Sequence, residues 1–200
     1  MLLSKNDIPK QVLETTDADD FSDLRPIQVE GESHTYLSPK TQKLGDAFGL
    51  IEREQTYHIA TRGAWSSPHL MEHLLNQIGP AECYLTSWSV KEQAVRILMM
   101  LMDSGKITSL HCLFDERIRV QCPQAYQLAE HNIADIRLTK IHAKQVILIN
   151  ADWHVSITTS ANLTRNPRIE RFVISTHKSV ALFDRDWIRK EIDQANPFEL

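Results

Sequence analysis

Residues 141–164, IHAKQVILINADWHVSITTSANLT, set two polar pairs around apolar runs. His142 and Lys144 precede QVILI, and Ser160 and Asn162 follow the second run. A neutral imidazole is a nucleophile available near neutral pH. The phosphorus of a phosphodiester is guarded by negative oxygens, and an attacking group needs cations and polar donors that neutralise them as the transition state forms. Lys144 and Asn162 are of the right type, and Ser160 adds a hydroxyl donor.

The elements that must position these groups are strands. Asn150-Ala151-Asp152 is rich in turn formers, so 142–149 and 153–160 read as a hairpin. Centred on Ala151, it sets His142 opposite Ser160 and Lys144 opposite Thr158. Side chains alternate along a strand. One face would then collect His142, Lys144, Thr158, Ser160 and Asn162.

The rest of the chain supplies a frame. TYHIATRG, ECYLTSWSV, ITSLHCLFD, IADIRLT and RFVIST read as strands. SSPHLMEHLLNQIG, with a Ser N-cap, Pro68 in the first turn and Gly79 as stop, reads as a helix. KEQAVRILMMLMDSG, PQAYQLAEHN and a closing segment near DRDWIRKEIDQ are further helices. Strands alternating with helices predict an α/β sandwich with a largely parallel sheet. Residues 1–45 are polar and acidic, an arm of uncertain regularity with a short strand expected at IQVEG; the main domain spans 46–200.

Composition narrows the class. The chain has 200 residues, 42% of them apolar, enough for a core. A formal charge of −4 and a pI of about 6.1 argue against a broad basic coat for nucleic acid, while leaving room for a local basic cleft. Three cysteines, Cys83, Cys112 and Cys122, suit a reducing compartment. MLLSKNDIPK lacks the pattern of a signal peptide, and no apolar run is long enough to span a membrane. A cytoplasmic protein without membrane contact is the expectation.

His142-Ala-Lys144 followed by Ser160-Ala-Asn162 resembles the HxK…GSxN signature of the phospholipase D superfamily. SANLTRNPRIERFVI resembles the segment after that signature in small bacterial and phage-type members, and HIATRGAWSSPHLMEHLL and GPAECYLTSWSV resemble their opening strands. The likeness covers roughly residues 55–190. It implies an α/β/α sandwich with a mixed, largely parallel sheet, and phosphodiester cleavage without metal or other cofactor. His142 would form a covalent phosphohistidine, with Lys144, Ser160 and Asn162 around the phosphate and Glu170 orienting the imidazole. A second histidine would protonate the leaving oxygen and then activate water. Family sites therefore hold two HxK units, and this chain has one, which implies a C2 homodimer with two copies of His142 facing across the axis. Small single-motif relatives include nucleases, so nucleic acid is the expected substrate. Two positions depart from the pattern: Ile149 stands where an Asp is usual, and Thr159 where the Gly before the motif Ser is usual.

Other candidates compete with plainer roles. Arg165, Arg168 and Arg171 would steer phosphates, or form a solvated face. Trp65 and Trp88 follow strand ends, where α/β proteins often place ligands, and would stack on a base or pack in the core. His69-Leu-Met-Glu72-His73 fits a helical H-x-x-E-H zinc motif, which would imply a metallopeptidase, although the helix needs Leu70, Met71, Leu74 and Leu75 for packing. A non-catalytic nucleic-acid-binding or assembly protein of the same fold is the remaining alternative, and Ile149 is the residue that favours it.

Overall fold

The computed structural model describes residues 29–38, 44–63, 65–164 and 168–195. The elements follow in the order β1 (Glu32–Ser38), α1 (Leu44–Ala47), β2 (Gln55–Thr61), α2 (Ser67–Ile78), β3 (Ala81–Ser87), α3 (Glu92–Asp103), β4 (Ile107–Asp115), α4 (Ile118–Gln121), α5 (Pro123–Asn132), β5 (Asp135–Thr139), β6 (Gln145–Ile149), β7 (His154–Thr159), β8 (Glu170–Ser175) and α6 (Lys178–Gln194). One eight-stranded sheet has the order β1-β2-β8-β7-β6-β3-β4-β5. The pairings β1–β2, β3–β4 and β4–β5 are parallel, and the other four are antiparallel. Six strands consequently point one way, and only β6 and β8 run against them. The sheet is mixed and largely parallel in direction, as the sequence predicts.

Local sequence explains the elements. Ser66 sits in extended backbone before α2, Pro68 occupies its first turn, and Gly79 ends it at φ 82°, where a side chain is disfavoured. The helix buries Leu70, Met71, Leu74, Leu75 and Ile78, the stripe expected of a three-to-four spacing. In α3 the same spacing buries Val95, Leu98 and Leu101. Val146, Ile147 and Leu148 are consecutive and all buried, because β6 is covered on both faces. β1 lies within the segment read as an uncertain arm. It begins at Glu32, beyond the strand expected at IQVEG, and pairs along its length with β2. Residues before 29 lie outside the described part.

The two faces of the sheet differ. Residues of α2, α3 and α5 pack on one face against Ile59, Leu85, Leu148 and Phe172. On the other face, α6 alone among the described helices packs through Ala181, Ile188 and Ile192 onto Tyr84, Leu113 and Ile147. Among the described residues no helix is long and apolar enough to cross a membrane. The contact beneath α6 includes a buried carboxylate. Asp184 accepts from Ser156 Oγ at 2.5 Å, Gln145 Nε2 at 3.2 Å and Trp187 Nε1 at 3.3 Å. Buried donors that lose their acceptor keep the full cost of desolvation. Asp184→Ala is therefore expected to lower stability by about 1–3 kcal/mol, measured by urea denaturation.

Candidate active site

Because β6 and β8 are reversed, their first residues share one rim of the sheet with the last residues of the other six strands. His142 and Lys144 lie just before β6, Ser160 and Asn162 just after β7, and Glu170 begins β8. The five residues expected to act together thus come from one rim, the usual place for a site in an α/β sheet.

The register that brings them there differs from the one expected. Gln145, not Lys144, lies opposite Thr158, and Ile149 lies opposite His154. The turn is the reason. Asn150 N–H donates to Trp153 O at 2.9 Å, and Asn150 Oδ1 accepts the amides of Asp152 at 3.0 Å and Trp153 at 2.8 Å. The hairpin therefore closes around Ala151 and Asp152 together instead of pivoting on Ala151. Lys144 instead meets Thr159, whose N–H donates to Lys144 O at 3.0 Å. His142 does not lie opposite Ser160 in the ladder; it sits in the loop before β6, so the shared face inferred from residue parity does not exist.

His142 is exposed, while Lys144 is only 9% exposed. Lys144 Nζ donates to His142 O at 2.7 Å and lies 3.5 Å from both ring nitrogens, too far to hold either tightly. Burial lowers the Lys144 pKa, and the negative charge of Glu170 opposes that shift. The rings of His142 and Trp88 make a T-shaped contact, with centroids 5.6 Å apart. Thr86 braces the loop: its hydroxyl donates to Ala143 O at 3.1 Å and accepts Gln145 N–H at 3.0 Å.

The other half of the rim is equally fixed. Ser160 Oγ donates to the Glu170 carboxylate and accepts Arg171 N–H at 3.0 Å. Thr159 Oγ1 donates to Arg171 O at 3.0 Å and accepts Ala161 N–H at 2.9 Å. A glycine could do neither, so Thr159 holds the chain that leads to Asn162. Leu163 then bridges to the segment after β3, its N–H donating to Ser89 O at 3.2 Å and its carbonyl accepting Lys91 N–H at 2.9 Å. The Oδ1 of Asn162 and the Nε1 of Trp88 are buried without a hydrogen-bond partner among the described residues. Buried polar atoms are rarely left so, and functional sites are among the exceptions.

Other sequence candidates fall elsewhere. Trp65 packs on Phe172 at 4.9 Å and joins the core beneath the sheet. Arg168 is exposed between Asn162 and β8, Arg171 lies 3.3 Å from His58 Nδ1, and Arg165 lies outside the described residues. Ser87 is buried and donates to Ser89 O at 2.7 Å. Ile149 half-packs with the cluster beneath α6. It stands five residues along the strand from Lys144, about 17 Å away. The zinc reading fails on contacts already made. His69 Nδ1 accepts Ser66 N–H at 3.3 Å, Lys106 Nζ donates to Glu72 at 3.2 Å, and His73 Nε2 lies 2.8 Å from Gln77 Nε2. Among the described residues no three His, Cys, Asp or Glu gather as a metal would require.

Two residues were missed by sequence reasoning. Asp115, only 2% exposed at the end of β4, accepts Arg117 N–H at 3.1 Å, Nε at 2.6 Å and Nη2 at 3.2 Å, and Ile141 N–H at 3.3 Å. Burial alone would raise its pKa, but the bonds from Arg117 and Ile141 outweigh it and lower it. Arg117 in turn lies over the Trp88 ring at 5.0 Å. A D-x-R triplet after an apolar strand is too common a pattern to mark such a role.

The fold is that of phospholipase D family structures. Nuc from Salmonella typhimurium, a phospholipase D family member, matches with a TM-score of 0.54 and 14% identity over 72% of this chain and 98% of its own. NucT from Helicobacter pylori matches with a TM-score of 0.54 and 12% identity over 72% of this chain and 99% of its own. No protein-family model matches the sequence, and a search of curated proteins returns no match.

A lowered lysine pKa has a testable sign. The folded protein disfavours the Lys144 ammonium, so its burial costs stability in full below the folded pKa, and the cost is removed as pH rises from that value to the ordinary lysine pKa. NMR titration of the Lys144 ε-carbon is expected to give a midpoint below the ordinary lysine range. Glu170→Gln should move it lower still, because the opposing negative charge is gone; an upward move would contradict the geometry.

Proposed function

We propose that the protein is a metal-independent phosphodiesterase that cleaves nucleic acid through a phosphohistidine at His142, in a site completed by a second copy of the chain. The observation that carries this reading is the exposed His142 imidazole held beside the buried Lys144 ammonium on the same rim as Ser160, Asn162 and Glu170. The resemblance of the HxK and SxN pairs to the phospholipase D signature supports it, as does the likeness of fold.

The chemistry follows from the groups. A ring nitrogen of His142 attacks phosphorus, forming a P–N bond as the P–O bond to the leaving oxygen breaks. The leaving oxygen takes a proton from His142 of the partner subunit. Water then attacks phosphorus, gives a proton to that same imidazole, and breaks the P–N bond to restore His142. Lys144 and the Asn162 amide neutralise the non-bridging oxygens as charge moves onto them. Glu170 steadies the cations of the site and, in this reading, orients His142. Nucleic acid is preferred to lipid by analogy with the small single-motif relatives of the signature, which include nucleases. Ile149 does not weigh against catalysis here, since its position lies at the far end of β6 from the imidazole.

Incubation with single- and double-stranded DNA, RNA and bis(4-nitrophenyl) phosphate tests the proposal. Cleavage is expected to survive EDTA and to fall by about 1,000-fold or more in His142→Ala. EDTA-sensitive cleavage would overturn the mechanism. An intact protein without turnover on any substrate would support the binding or assembly alternative. Sedimentation velocity at assay concentration should give a dimer; an active monomer would refute the shared site.

A further inference from the structure

A shallow cleft of about 410 Å³ opens beside His142, lined by Asp115, Glu116, Arg117, Lys140, Ile141 and His142. Nothing in the catalytic proposal uses Arg117 or Lys140. Yet Arg117 is built into place more firmly than most surface arginines. The buried Asp115 carboxylate takes its Nε and Nη2 protons, one on each oxygen. The Trp88 ring lies beneath the guanidinium. With its side chain 52% exposed, Arg117 keeps its Nη1 protons for the cleft. Such a group is preorganised for a planar, charge-assisted contact with phosphate. Lys140 is exposed on the same cleft.

Position decides which phosphate it meets. Trp88 contacts both Arg117 and His142, the first over its ring face and the second in a T-shaped contact, and both partners line the same cleft. The guanidinium is anchored on Asp115 and has no hydrogen bond to His142, whose ammonium neighbour is Lys144, so Arg117 is placed for a phosphate next to the one that His142 attacks. We propose that Arg117, with Lys140 beside it, holds the phosphate flanking the scissile one, so that the site selects a strand of successive phosphates over an isolated phosphodiester. Asp115 is the positioning residue: it fixes Arg117 and, through Ile141 N–H, the loop that carries His142. This inference rests on the proposed phosphodiesterase reading for its kinetic part, and its binding part stands apart from turnover.

The test uses the full chain with a fluorescein-labelled single-stranded oligonucleotide. Arg117→Ala should weaken binding about ten-fold at low salt and make the slope of log K against log salt shallower by about 0.7, the loss of one phosphate contact. Arg96→Ala removes an exposed cation from α3, where it pairs with Glu92 at 2.6 Å, and should change neither. Asp115→Asn gives the sharper contrast. If Asp115 were only a negative charge beside a polyanion, its removal would tighten binding; if it positions Arg117, binding weakens. In turnover, Arg117→Ala should reduce kcat/KM about ten-fold on the oligonucleotide and less than two-fold on bis(4-nitrophenyl) phosphate, which has no flanking phosphate. Equal losses on both substrates, unchanged binding with an unchanged salt slope, or tighter binding in Asp115→Asn would each overturn the proposal. Should the wild type cleave neither substrate, the phosphodiesterase reading fails and the binding results alone decide the role of Arg117.

Discussion

The side chain of Asn150 takes two backbone amides, and the rest of the site depends on that grip. It closes the β6–β7 hairpin on two residues, which fixes every pairing between these strands. A shift by one residue would turn Val146 and Leu148 away from the main core and expel Lys144 from its place beside Thr159. Since β6 and β8 are the reversed strands of the sheet, their starts can only meet the ends of their neighbours. An imidazole and ammonium that precede one strand thus lie on the same rim as a hydroxyl and amide that follow another. Residues separated in sequence by an apolar core become neighbours because that core is a ladder folded back on itself.

The electrostatics of the rim follow the same economy of position. Lys144 is buried enough to lose affinity for its proton, and Glu170 counteracts the loss. Glu170 is itself held by the Ser160 hydroxyl, which also caps the amide of Arg171. On the other side of His142, a second carboxylate, Asp115, is saturated with donors. Lys144 and Arg117 are therefore each matched to an anion held by backbone or hydroxyl donors. Charges fixed in this way need little reorganisation when a negatively charged group arrives.

Much of the frame was legible in the sequence because its signals are local. The Ser66 cap, the Gly79 stop and the spacing of apolar residues in α2 act within a few residues of one another. The HxK and SxN pairs were legible as chemistry through their residue types. Their relative geometry was not, because it turns on whether Asn150 closes a turn of two residues or three, a difference of side-chain hydrogen bonding that residue type alone leaves open. β1 was misplaced because ESHTYLS gains its strand character from pairing with β2, not from a strong alternation of its own. Trp65 and Trp88 looked alike beside their strand ends, and only packing separates a ring seated on Phe172 from one in contact with both Arg117 and His142. Asp115 and Arg117 carried no readable mark, since their importance comes from a loop distant in sequence.

Ile149 gives the signature a different meaning. The pattern that begins with His142 and ends at this position is usually read as one catalytic unit, yet its two ends face different tasks. The first half touches solvent at the rim, while the last position meets the layer formed by α6. Such a motif works like a ruler laid across the sheet, with one end marking reactivity and the other marking how a helix is docked. An isoleucine at this position fastens α6 through a hydrocarbon contact, at the end of β6 away from His142 and Lys144.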